Sequence, residues 1–209
     1  MLGPCINASG RLDTAARSLA LLNAKTKEEA ARLAGDLTAL NQSRKALTEK
    51  GKEEAIRIIE TTELKNDRVL VVYLPDCHES LAGIIAGRIR EKYHRPAFVL
   101  TGGETSAKGS GRSIESYSMY EELVKCADLM IQFGGHPMAA GLSIEEKNIE
   151  EFRRRLNVNC TLTDEELRPK IVIDVPMPVS YITKELVEQI HDLEFLLEAY
   201  RSGRIAERL

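Results

Sequence analysis

The chain has 209 residues, 43% of them hydrophobic and 29% charged, which excludes a disordered, collagenous or coiled-coil chain and fits a globular one. Its 29 Lys and Arg against 32 Asp and Glu leave a net charge of −3, so no overall positive field draws in nucleic acid and any phosphate binding has to come from a local cluster. The four cysteines (Cys5, Cys77, Cys126, Cys160) are scattered without a CxxC pair, which argues against a zinc site and fits reduced thiols in a cytoplasmic protein. The longest apolar run, Val69 to Leu74, is too short to cross a membrane, and no signal peptide is visible.

Met1 to Asn7 is turn-like and reads like the middle of a protein behind an added Met. Leu12, Ala15, Ala16, Leu19 and Leu22 predict a helix over 13–22, capped by Asp13 or Thr14. Thr26 and Glu29 stand at capping-box spacing, and from there to about Glu63 the chain has no Pro and almost no Gly, with Gly51 a weak point. That predicts a single helix of about 37 residues, roughly 55 Å long, which suits a bridge between two bodies better than a coiled coil. Arg68 to Leu74 is a buried strand and Leu81 to Tyr93 a helix. Ala97 to Leu100 is a second strand, and Gly-rich Ser106 to Ser113 is a strand edge facing a ligand. Met119 to Cys126 is a helix. Leu129 to Phe133 is a strand running into a turn at Gly134-Gly135-His136-Pro137. Ala139 to Ile144 is a further strand and Asn148 to Asn157 a charged helix. The alternation predicts an α/β domain with a mixed sheet flanked by helices. After a linker at 161–169, Lys170 to Val175 reads as a new strand and Thr183 to His191 as a helix, too little for a core of their own.

Four segments carry the chemistry. Lys108-Gly109-Ser110-Gly111-Arg112-Ser113 gathers an ammonium, a guanidinium, two hydroxyls and accessible backbone N–H groups. That set suits a phosphate, with Arg112 bidentate and Ser110 a neutral donor; the bland reading is a flexible hairpin with exposed polar side chains. It lacks the order of a Walker loop. In Phe133 to Gly141 two glycines precede His136, which either bonds a phosphate oxygen, shuttles a proton, or closes a tight turn on a carbonyl. The crevice at a strand's C-terminal end is where α/β sheets bind ligands. Arg11, beside Gly10 and before a helix, suits an anion or is a plain surface arginine. Asp76-Cys77-His78-Glu79-Ser80 is a metal or Cys–His candidate, or a helix start capped by Asp76, Glu79 or Ser80. Arg88, Arg90, Lys92, His94 and Arg95 form a basic run: a solvated helix face or a contact to a nucleic-acid backbone. No HExxH and no cluster at ligand spacing is present, whereas phosphodiester hydrolysis normally uses metal ions.

In this order the motifs resemble the RecJ family of single-stranded-DNA exonucleases, in the DHH phosphoesterase superfamily. The resemblance rests on Pro4 to Leu12, His78 to Ile89, Tyr93 to Ala97, Lys108 to Ser113 and Gly134 to Gly141. It implies a preceding connector over 1–24, a long connecting helix over 25–64, a DHH-associated nucleic-acid-binding domain over 65–160, and a linker with the start of a truncated OB-like domain over 161–209. It implies that Arg11, Lys108, Ser110, Gly111 and Arg112 hold the 5′-phosphate of a single DNA strand. Gly134, Gly135 and His136 then line the cleft, with His136 as an auxiliary catalytic group. The Mn²⁺ or Mg²⁺ of such enzymes sits in an N-terminal DHH domain that is absent here, so the fragment is expected to bind without cutting. Cys77-His78-Glu79-Ser80 departs from the family's Trp-His-x-Gly, and Leu196 to Tyr200 from its PFGxGNP-like turn. The alternatives are a fragment of a DHH-type nucleotide phosphatase or oligonucleotidase, or a non-catalytic nucleic-acid-binding module.

Overall fold

The computed structural model describes residues 2–169 and 176–201. The strand expected at Lys170 to Val175 lies outside the described residues, as does the tail from 202 on.

Three helices come first: α1 (Leu2–Leu12), α2 (Ala15–Leu22) and α3 (Lys27–Thr61). Over 2–7 the expected turn-like start is therefore corrected to a helix. Pro4 falls in its first turn, where a missing N–H costs nothing. Ala8 and Ser9 are fully buried, and Ser9 Oγ lies 2.6 Å from Ser18 Oγ of α2, so tertiary packing overrides the weak local propensity. Thr26 caps α3 by accepting from Glu29 N at 3.2 Å. The helix runs 35 residues through Gly51, where a Cβ would stand 2.6 Å from Ile85 Cδ1. The glycine there is a contact point for the next helix, not a break.

A five-stranded sheet follows, made of β1 (Leu70–Leu74), β2 (Ala97–Thr101), β3 (Ala107–Arg112), β4 (Met130–His136) and β5 (Ala139–Ile144). Its order is β1-β2-β3-β5-β4. β1 and β2 are parallel and joined through α4 (Glu79–Tyr93); the remaining pairs are antiparallel. α5 (Met119–Val124) and α6 (Ile149–Asn159) lie between and after β3 to β5, and α7 (Lys184–Arg201) is the last described element. The mixed α/β architecture expected from the alternation is present.

Each face of the sheet has its own core. On one, Ala55 and Ile59 of α3 and Leu81, Ile85 and Ile89 of α4 cover Leu70, Val72, Ala97 and Val99. On the other, Met119, Leu123, Phe152 and Leu156 of α5 and α6 cover Phe98, Leu100, Leu142 and Ile144. The Phe98 and Phe152 rings meet edge-on with centroids 5.4 Å apart.

The Gly-rich segment is an interior strand, not an edge or a flexible hairpin. β3 is paired on both sides, with β2 and β5. Its glycines face the second core: a Cβ at Gly111 would come within 2.6 Å of both Met119 Sδ and Phe98 Cε1, and one at Gly109 within 3.0 Å of Leu142 Cγ. Alternation then forces Lys108, Ser110 and Arg112 onto the opposite face. Gly111→Ala is expected to destabilise the fold by about 1–3 kcal/mol through overpacking against a ring already held by Phe152. Urea denaturation of the variant checks this.

Candidate nucleic-acid interface

The register of the antiparallel strands lays out one face of the sheet in three rows. Ser110 pairs with Gly141 and Gly141 with Gly134; Arg112 pairs with Ala139 and Ala139 with His136; Lys108 pairs with Ser143 and Ser143 with Gln132. Residues directly opposite share a face, so all nine point the same way. α4 covers this face over β2 and reaches β3, but beyond β3 it is open among the described residues. Gly134 and Gly141 are exposed, and a Cβ added at Gly134 would meet nothing within 4 Å. The middle row thus has almost no side chains, and the polar groups stand along both sides of it.

Arg112 sits where α4 meets β3. Its Nη1 donates to Ser110 Oγ at 3.1 Å and to the Gly111 carbonyl at 2.7 Å. No carboxylate pairs with it among the described residues. Burial first, and then the nearby Arg11 and Arg90, pull the Arg112 guanidinium below its ordinary range. Arg11 reaches in from the end of α1 and is held by the Ser80 carbonyl at 2.8 Å, in the first turn of α4. The Arg90 Nε is buried without a hydrogen-bond partner among the described residues, while its Nη2 lies 3.7 Å from Glu91 Oε1. Three guanidinium groups therefore gather at this recess; Arg90 has the Glu91 carboxylate beside it, whereas among the described residues Arg112 and Arg11 meet only neutral oxygens, which leaves a demand for an anion.

The recess exists because α4 carries glycine at its closest approach. A Cβ at Gly83 would lie 2.7 Å from Arg112 Nη2 and 2.9 Å from Ser110 Oγ. Gly87, one turn on, lies against the Arg112 stem, 4.0 Å from its Cγ.

Lys108 donates to Ser143 Oγ at 3.1 Å and makes no ion pair among the described residues. His136 ends β4. The expected turn at 134–137 shrinks to Pro137 and Met138, because β4 pairs with β5 as far as His136 and Ala139. Backbone bonds from Met119 N to Pro137 O (3.0 Å) and from Ser113 N to Met138 O (2.9 Å) pin this hairpin tip. The His136 Nδ1 accepts from Met138 N at 3.3 Å, so the neutral ring carries its proton on the outward Nε2 and presents a donor.

β5 lies between β3 and β4, so the Arg112 and His136 backbones are about 10 Å apart. They share a face but do not touch. β4 and β5 are antiparallel, so the parallel-sheet crevice expected there is not what forms the site. Gly111 and Gly135 turn toward the other face. Gly135, at φ +153°, adopts a conformation that suits glycine, and a Cβ there would be 2.6 Å from Ala140 Cα. Of the Asp76 to Ser80 candidates, it is His78 that caps α4, its Nδ1 accepting from Ser80 N at 3.3 Å.

Comparison with known proteins gives this arrangement a family. Residues 66–160 match the DHHA1 domain. The single-stranded-DNA-specific exonuclease RecJ of Salmonella typhimurium is 38% identical over 201 residues, covering 91% of this chain and 35% of RecJ. RecJ of Bacillus subtilis is 35% identical over 92% of the chain and 25% of its own length. The crystal structure of Thermus thermophilus RecJ in complex with Mg²⁺ superposes with a TM-score of 0.67 and 33% identity, covering 75% of this chain and 24% of that one. The chain is a homologue of RecJ over most of its length. It spans about a third of the curated RecJ proteins that it matches first.

RecJ structures have been solved with Mg²⁺ and with Mn²⁺. Among the described residues of this chain no three His, Cys, Asp or Glu side chains come together to hold such an ion, so the residues present do not fit a RecJ metal centre. What the sequence left unseen is the contribution of α4. Gly83 and Gly87 stand four residues apart on one helix face, a spacing that permits close approach. Arg90 was read as part of a basic run on the outer face of α4, yet its Nε is buried and its charge bears on Arg112.

Proposed function

We propose that this chain holds single-stranded DNA by its 5′-phosphate for a metal-dependent nuclease that shortens the strand from that end. The reading is carried by the Arg112 guanidinium, half-buried, faced by neutral oxygens, and crowded by Arg11 and Arg90. A permanent cation in that state lacks its counterion. A terminal phosphate supplies two negative charges and several acceptor oxygens in a geometry the planar fork matches. Ser110 Oγ, which accepts from Arg112, keeps its own hydrogen to donate to the same phosphate. The open rows over β3, β5 and β4 continue the site well past one phosphate group, which favours a polynucleotide over a mononucleotide.

Each residue has a distinct task in this reading. Arg112, Arg11 and Ser110 fix the end of the strand. Gly141 and Gly134 let the sugar-phosphate backbone lie close to the sheet. His136 donates its Nε2–H to a non-bridging phosphate oxygen and so orients that phosphodiester. The relatives are named single-stranded-DNA-specific exonucleases, which supports the substrate. The divalent ions and their ligands are assigned to an N-terminal DHH domain of the same polypeptide, so this chain binds without cutting. Incubation with labelled single strands and Mn²⁺ tests the last point, and turnover proportional to protein would contradict it. The binding itself is tested by competition between 5′-phosphorylated and 5′-hydroxyl forms of one oligonucleotide. At least a tenfold preference for the phosphorylated form is expected, and equal affinity overturns the reading.

A further inference from the structure

We infer that Lys108 and Ser143 form a second phosphate subsite, which holds the phosphodiester next in line after the terminal phosphate and so sets a minimum strand length for full affinity. The inference rests on the assignment of Arg112 to the terminal phosphate. It comes from a repeated construction on the open face. Arg112 leans on Ser110 Oγ at 3.1 Å; Lys108 leans on Ser143 Oγ, also at 3.1 Å. In each pair a cation is held by a serine hydroxyl of the ligand-facing rows, and in neither by a carboxylate among the described residues. An exposed lysine usually swings freely. This one is oriented over the sheet by Ser143, which lies beneath it and is only 9% exposed. The Gln132 side chain, exposed in the same row, adds a neutral amide donor.

The spacing matches a strand. Ser110 pairs with Gly141, and Ser143 lies two residues further along β5. Two residues of rise and one strand spacing place the two hydroxyl anchors about 8 Å apart on the diagonal. Successive phosphates of an extended single strand are separated by a comparable distance. Gly141 lies between the anchors, so no side chain stands in the way of a backbone running from one to the other. Beyond Lys108 the balance turns acidic: Glu104, Glu145 and Glu146 gather at the end of the strands, with Lys147 paired to Glu145 the one cation among them. The chemistry recognised is that of the phosphodiester backbone, independent of base.

The test measures the affinity of the full chain for 5′-phosphorylated thymidine oligonucleotides of increasing length, from one to four nucleotides, by calorimetry. Lys108→Ala is expected to leave mononucleotide binding within twofold and to weaken the tetranucleotide about fivefold, the size of an exposed ion pair. The salt dependence of tetranucleotide binding should fall by about 0.7 of a log unit per log unit, the loss of one phosphate contact. Lys108→Arg should restore most of both. Arg112→Ala weakens every length. If Lys108→Ala leaves the tetranucleotide unchanged while Arg112→Ala weakens it, the second subsite is wrong and the terminal-phosphate reading stands. Equal loss for mononucleotide and tetranucleotide puts Lys108 in the first subsite and overturns the inference. If Arg112→Ala changes neither, the underlying assignment fails as well.

Discussion

Arg112→Ala weakens the binding of a 5′-phosphorylated single strand about 100-fold, and of the same strand with a 5′-hydroxyl only a few-fold. The first figure corresponds to about 2.7 kcal/mol, near the upper end for hydrogen bonds to charged groups, because the site is partly screened from water. The second is small because a hydroxyl end leaves only the weaker pull of the next phosphodiester. Arg112→Lys recovers little, since an ammonium cannot copy the two-pronged contact. The stability of the free protein should not fall with Arg112→Ala. The guanidinium has no carboxylate partner among the described residues, it is half-buried, and Arg11 and Arg90 repel it, so removing it relieves strain. Fluorescence anisotropy on the two oligonucleotides, with a thermal melt of each protein, checks both halves. A lowered melting temperature without loss of phosphate preference would mean that Arg112 is structural.

Gly83→Ala is expected to separate stability from binding in the same way, from the opposite side of the recess. In a helix interior the change from glycine to alanine is worth about 1 kcal/mol in favour of the fold. Here the new Cβ would stand 2.7 Å from Arg112 Nη2 and 2.9 Å from Ser110 Oγ. Both are side-chain ends that can move, so the helix keeps its gain and the guanidinium gives way. The expected outcome is a higher denaturation midpoint together with a loss of 5′-phosphate affinity of about 10-fold or more. Chemical denaturation and the same anisotropy measurement read the two effects. Unchanged phosphate binding would show that the glycine serves only helix–sheet packing.

The long helix, the strand–helix alternation and the phosphate-suited residue types of 108–113 were legible because each is written in local pattern: a Pro-free stretch, β-branched runs, glycines among donors. The helix at Leu2–Leu12 was not, since Gly3, Pro4 and Gly10 argue against it locally and only the burial of Ala8 and Ser9 decides in its favour. The Gly-rich segment misled in another way. Glycine usually signals flexibility, but Gly109 and Gly111 are where Leu142, Phe98 and Met119 leave no room for a side chain, and the strand they form is paired on both edges. The sequence places His136 in a turn, and the structure in the last pair of β4, because register cannot be read from one strand alone. Gly83, Gly87 and Ser143 were missed for a common reason. Each matters through what a distant strand brings against it, and nothing in its own neighbourhood announces that.

The most direct measurement is a crystal structure of the chain with a 5′-phosphorylated tetranucleotide. The account predicts the terminal phosphate within hydrogen-bonding distance of the Arg112 guanidinium and Ser110 Oγ, with the backbone crossing Gly141. A phosphate seated elsewhere, or an Arg112 side chain that makes no contact with the strand, would contradict it.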